Sequence, residues 1–210
     1  RQTQREITRM GHIAADNLKR ALDCFFDYSA SKAASVRSHE ESVNILNHLI
    51  ADAMVELRSL DLSPENMRRV SMMTIAVTDI ERLSDHAENM VEYIEQMNAK
   101  KAEMSEAARK ELLDMSQDAL DAVYLALDIF EKDDYSKLDQ IEILEQHVDD
   151  HEKDLINNHI ERIMNSMCNP LGGVIFSDLV TDLERCSDHA INLAYALKER
   201  PTELDVPKTL

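Results

Sequence analysis

Glycine and proline are scarce in this chain, three and four among 210 residues. So few turn-formers exclude a β-protein with its many reversals and leave long helices, so an all-α fold is expected. Tryptophan is absent and aromatic residues make up 4% of the chain, so the core must rest mainly on Leu, Ile, Val, Ala and Met. Cysteine is limited to Cys24, Cys168 and Cys186, odd in number, far apart and without CxxC spacing. That pattern argues against a disulfide framework and for a reducing cytosol. No signal peptide opens the chain, and no apolar run approaches the roughly 20 residues that span a bilayer. The expected location is therefore cytoplasmic. The start at Arg1 in place of Met, with helical periodicity from the outset, fits a domain cut from a longer protein. Positive charge is also short, because 23 basic against 41 acidic residues leave a formal charge of −18. Such a surface repels nucleic acid and anionic membranes and disfavours a bare anion site. It suits cation binding or plain solubility.

What the chain does contain is one segment twice. Residues 78–89 read TDIERLSDHAEN and residues 181–192, displaced by 103 positions, read TDLERCSDHAIN, identical at nine of twelve positions. The retained residues are mostly polar: Asp79, Glu81, Arg82, Asp85, His86 and Asn89, matched by Asp182, Glu184, Arg185, Asp188, His189 and Asn192. A merely solvated helix face is free to hold any mixture of Lys, Glu and Gln, whereas carboxylates, His and Asn are the side chains that hold cations and organise hydrogen bonds.

Periodicity extends the duplication to the whole chain. Ile7, Met10, Ala14, Leu18, Ala21, Leu22 and Phe25 describe a helix ending near Tyr28, and Val43, Leu46, Ile50, Met54 and Leu57 a second from about Ala33 to Arg58. Ser63-Pro64 is a capped start for a third that runs to about Gln96. Leu112, Met115, Leu120, Val123, Leu127 and Phe130 then repeat the first helix, Ile141 to Met167 the second, and Asn169-Pro170 opens the third. The expected organisation is two tandem three-helix bundles packed together, residues 1–100 and 101–200, with a tail at 201–210.

On a helical wheel Ala76, Ile80, Leu83, Ala87 and Met90 fall on one side, and Thr78, Glu81, Arg82, Asp85 and Asn89 on the other. Glu81 and Asp85 stand one turn apart, where like charges repel by roughly 0.2 to 0.5 kcal/mol, so Arg82 or a bound cation must compensate. Asp79 and His86 form a neighbouring pair on the flank of the same polar face. On the second helices Glu145 and Asp149 echo the spacing, and aligning Val43 with Val148 places Glu40 and Asn44 opposite them. Facing helices with such side chains can enclose Mg, Mn, Fe or Zn. E-x-x-x-D spacing alone is common in acidic helices, and the close duplication is what turns the balance toward metal. Arg82 and Arg185 are expected to pair with neighbouring acids and fix their rotamers. Cys186 aligns with Leu83 and the methionines lie in helix interiors, which reads as packing.

With its paired segments Asp79–Asn89 and Asp182–Asn192, similar to D-L-E-R-I-G-D-H-A-x-N, the chain resembles the PhoU family, associated with phosphate uptake and its signalling. The resemblance implies two three-helix bundles whose acidic motif pairs bind metal ions or small clusters, in a regulatory role and not as an enzyme. Carried over by position, the metal candidates are Glu40, Glu81, Asp85, Glu145, Asp149, Glu184 and Asp188, with Asn44 departing from the acidic pattern. Asp79, His86, Asp182 and His189 are further candidates, as ligands or as groups that orient a carboxylate. The cation would be divalent or trivalent, Fe, Zn, Mn or Mg. The stretch from Cys168 to Ala194 looks most similar to PhoU-like domains appended to sodium/phosphate cotransporters. The partners so implied are a phosphate transporter or its membrane domain and a phosphate-sensing kinase, with no nucleic acid and a homodimer left open. Two alternatives stand beside it. A carboxylate-bridged dimetal enzyme has the ligand chemistry but lacks an evident general base or nucleophile, and a plain helical scaffold would leave the duplicated acids merely solvated.

Overall fold

The structure is a computed structural model and describes residues 2–198. Its helices are α1 (Gln2–Phe26), α2 (Ala30–Arg58), α3 (Pro64–Lys100), α4 (Glu106–Lys132), α5 (Leu138–Met164) and α6 (Pro170–Tyr195), with one 3₁₀ turn at Tyr135–Lys137 before α5. The described residues contain no strand. The tail expected at 201–210 lies outside them.

Capping chemistry sets the helix starts. Ser29, Ser63 and Ser105 each accept a hydrogen bond from the backbone N–H three residues on, and Asn169 accepts from Leu171 and Gly172. Pro64 and Pro170 occupy the first turns, where no backbone N–H is needed. The cap at Ser29 starts α2 at Ala30, ahead of the expected Ala33, and ends α1 at Phe26 instead of Tyr28. At the other ends the shortage of glycine is visible: α3 and α4 stop on Lys101 and Asp133 in left-handed conformation, φ 51° and 54°. Helix α3 therefore runs to Lys100, beyond Gln96, while α5 stops at Met164, short of Met167, with Ser166 left-handed at φ 55°.

Within each half all three helices pack on one another, and the halves meet through α3 against α6 and α1 against α4. The apolar stripes merge into a single core whose largest fully buried side chains include Phe25, Phe130, Phe176, Met10, Met115 and Leu127. Gly11 belongs to the α1 and α4 contact, because a Cβ there would run into Leu127 Cδ2. Cys186 is buried among apolar side chains, as its alignment with Leu83 requires. Methionine is more divided than expected: Met10, Met54, Met73, Met90, Met97 and Met115 are core, but Met164 and Met167 are 80% and 67% exposed at the end of α5 and beyond. No described helix is long and apolar enough to cross a membrane.

Candidate functional site

The two copies of the duplicated segment face each other where α3 crosses α6. His86 Nδ1 lies 3.0 Å from Asp182 Oδ1, and His189 Nδ1 lies 2.9 Å from Asp79 Oδ1, so each copy's histidine bonds the other copy's aspartate. The two imidazole rings sit 5.8 Å apart between them. Both aspartates are buried, and these pairs satisfy carboxylates that would otherwise be costly to enclose. Asp182 has two more donors, the Asn89 amide at 3.4 Å and the Tyr93 hydroxyl. Burial and this carboxylate hold the Tyr93 hydroxyl well above the usual phenol range. The arrangement corrects the expectation that Asp79 and His86 share one polar flank. Seven-residue spacing does put them on one side of α3, but that side faces the other half of the molecule, and each is paired across the seam.

The other candidates form two faces, one between α2 and α3 and one between α5 and α6. All eight, Glu40, Asn44, Glu81 and Asp85 in the first half and Glu145, Asp149, Glu184 and Asp188 in the second, are half-buried. In the first half, partial burial and the nearby Glu88 and Asp85 charges hold the Glu40 carboxyl above its ordinary value, while a hydrogen bond from the Asn44 amide works against that rise. In the second half Glu145 is raised by partial burial and by Asp149 and Asp188, and Glu184 by partial burial and by Asp188, Glu152 and Asp149. These causes cross from α5 to α6, which brings Glu145, Asp149, Glu184 and Asp188 into one field.

Arginine supplies part of the compensation, as expected. Arg82 Nη1 lies 3.4 Å from Asp85, and Arg185 reaches Asp188 at 3.2 Å and Glu184 at 3.5 Å. For a metal the test is mixed. The donors are the oxygens a hard cation prefers, and three glutamates held above their ordinary range mark charge that a cation would neutralise. Yet no group of three or more His, Cys, Asp or Glu side chains among the described residues is arranged to hold an ion. The ligand chemistry fits, and the side chains as they stand are not drawn together.

Several residues that matter here escaped sequence reading. Arg37 on α2 crosses to α3 and pairs with Glu95 at 2.6 Å and Glu88 at 3.9 Å, neutralising acids beside the first face. Glu88, Glu152 and Tyr93 were equally unmarked. None of these four has a like residue in the other copy, so duplication does not mark them.

The profile of the PhoU domain matches residues 7–94 and again 112–197. The chain belongs to the PhoU family. The fold agrees: PhoU from Pseudomonas aeruginosa superposes with a TM-score of 0.86 at 19% identity, over 93% of each chain. The phosphate transport system regulatory protein PhoU from Streptococcus pneumoniae gives 0.81 at 18% identity, over 93% of this chain and 91% of that one. A PhoU-like protein from Shewanella oneidensis MR-1 gives 0.66 at 14% identity, over 93% and 96%. No curated protein sequence matches the chain significantly.

Proposed function

We propose that this PhoU-family chain is a non-catalytic regulatory module of phosphate uptake that holds divalent or trivalent cations on its two acidic faces. Family membership and the regulatory role named for the Streptococcus pneumoniae relative support the phosphate part. The metal part rests on one observation, the packing of α5 on α6 that leaves Glu145, Asp149, Glu184 and Asp188 half-buried together, where partial burial and acidic neighbours hold Glu145 and Glu184 above their ordinary range. Glu145, Asp149, Glu184 and Asp188 would hold the cation there, and Glu40, Asn44, Glu81 and Asp85 a weaker one in the first half. Iron, zinc, manganese and magnesium all suit such oxygen donors. A bound cation supplies a positive centre on a surface of charge −18. Phosphate is otherwise repelled at long range, so its route to this surface is through the metal. The module works at the cytoplasmic face of a phosphate transporter, fused to its membrane domain in the manner of a sodium/phosphate cotransporter, with a phosphate-sensing kinase as a further partner.

Elemental analysis of protein purified without chelator or nickel affinity tag, followed by thermal unfolding with added Mn, Fe, Zn or Mg, tests the metal reading. Copurified metal and a rise in Tm are expected. Absence of both sinks it. Titration calorimetry with inorganic phosphate should give heat only from the metal-loaded form, and equal heat from chelated protein would instead implicate Arg82 and Arg185. Reading the coding sequence upstream of Arg1 decides the fusion, since an initiator Met immediately before it removes the transporter assignment.

A further inference from the structure

A separate side-chain cluster sits where α6 begins, away from the duplicated motifs. Cys168 precedes the capping residue Asn169 and is partly exposed. Its Sγ lies 3.8 Å from Nδ1 of His159 on α5. His159 is buried, with its ring centroid 5.0 Å from that of Phe176, and it packs so closely on Gly173 that a Cβ there would fall 2.9 Å from the imidazole. Burial and the neighbouring Arg162 cation hold the imidazole below its ordinary 6.5, so near neutral pH it is an uncharged base.

Arg162 lies on the wall of a cavity shared with this cluster. It is only 9% exposed, and its Nη1 pairs with Glu111 at 2.8 Å while the guanidinium lies 5.0 Å from the Phe176 ring centroid. Its Nε and Nη2 are buried without any protein acceptor. Arg162, His159, Cys168 and Phe176 line one cavity of about 20 Å³. That is room for about one water-sized group. Arg162 thus brings unpaired buried donors to a cavity whose wall it shares with Cys168, and such donors call for an acceptor. The other cysteines offer a contrast, because Cys24 and Cys186 are fully buried and burial pushes both thiols up. Thiols in such surroundings are inert.

We propose that Cys168 is a peroxide-sensitive modification site whose sulfenic acid is held in this cavity. The thiol proton passes to His159, and the sulfur attacks one oxygen of hydrogen peroxide. A sulfur–oxygen bond forms as the oxygen–oxygen bond breaks. The departing hydroxide takes the proton back from the imidazolium and leaves as water. Sulfur is oxidised by two electrons and peroxide is reduced by two, so thiol and hydrogen peroxide give sulfenic acid and water. One oxygen atom is added, which matches the size of the cavity, and the unpaired N–H groups of Arg162 are its donors.

The test is the rate at which hydrogen peroxide with excess dimedone labels each cysteine, read by peptide mass spectrometry on the folded chain and on the same chain in urea. Cys168 is expected to label faster folded than unfolded by about tenfold, because only the folded chain holds the His159 imidazole 3.8 Å from its sulfur. Cys24 and Cys186 should label only in urea. Arg162→Gln or His159→Asn should bring the folded rate of Cys168 down to the unfolded one. A folded rate no higher than the unfolded rate overturns the proposal, and so does a rate unmoved by either substitution. Should the variants fail to fold, the folded-to-unfolded ratio of the unaltered chain decides alone.

Discussion

The two acidic faces begin from the same motif and end with different charge. With α5 aligned on α2 at a displacement of 105 and α6 on α3 at 103, Asn44 and Asn47 of the first half stand opposite Asp149 and Glu152 of the second. Arg37, which pairs with Glu88 and Glu95, stands opposite Glu142, and Glu88 opposite Ile191. The first face thus has Arg82 on Asp85, an amide bonded to Glu40 in place of a fourth carboxylate, and Arg37 neutralising the acids beside it. In the second, the basic side chains near the acids are Arg185, on Glu184 and Asp188, and Lys153, 3.8 Å from Asp149. The seam has not diverged in this way: Asp79, His86, Asp182 and His189 form two alike pairs. The difference teaches where each copy is free. A face touches only its own half and can change alone, while a seam residue has its partner in the other copy, so a change on one side strands a buried group on the other.

The largest effect expected from this contrast is in metal titration. A cation at about a hundred times its Kd adds about 2.7 kcal/mol to stability. Glu184→Gln with Asp188→Asn should abolish the tighter phase of a calorimetric titration and most of the Tm shift, whereas Glu81→Gln with Asp85→Asn should remove only the weaker phase. Asn44→Asp should tighten the weaker phase. Equal phases in the unaltered chain would erase the difference between the faces. Next comes the seam. His86→Ala and His189→Ala each leave a buried carboxylate without its partner, at a cost of about 1 to 3 kcal/mol in urea unfolding. The former should be the milder, since Asp182 keeps Asn89 and Tyr93 as donors. Equal losses would mean those two donors contribute nothing.

Smaller effects come from charge without metal. Because burial and neighbouring acids raise the Glu184 carboxyl, the folded chain holds more protons than the unfolded one just above the ordinary value of 4.5, and this group's contribution falls as pH rises through that window. Metal-free Glu184→Gln should therefore be more stable than the parent at neutral pH, by about 0.5 kcal/mol, and the advantage should vanish as pH approaches 4.5. Urea unfolding at several pH values measures it, and an advantage that persists in acid would refute this cause. The smallest change belongs to Arg37→Gln. Its ion pairs are half-exposed, so losing them should cost under about 1 kcal/mol in urea unfolding, but cation binding at the first face should tighten. Unaltered binding there would show that Arg37 does not neutralise that face.

Much of the fold was legible because its signals are local. Ser63-Pro64 and Asn169-Pro170 mark helix starts through their own backbone chemistry, and the apolar periods fix which side of each helix is buried. The site was legible in composition but not in pairing. A wheel places Asp79 and His86 on one side of α3 without saying what lies beyond, and here it is the same side of the other copy. Arg37 reaches Glu95 across 58 positions, and no repeat or spacing flags such a contact. Helix ends were misplaced where a left-handed Lys101 set the boundary, since lysine does not announce that role, and at Ser29, a cap-forming residue with no proline behind it to mark the start.

The reciprocal seam has one further implication. An aspartate and a histidine from each partner, bonded crosswise, are the contact pattern of an isologous two-fold interface, in which residue i meets j and j meets i. Either half alone carries both members of the pair, and so presents a surface complementary to a copy of itself. The connection between α3 and α4 turns what would be a concentration-dependent association into a step within one molecule, fixed at a high effective concentration. The single chain is, in its geometry, a dimer that cannot dissociate, and for that reason its two faces could become different.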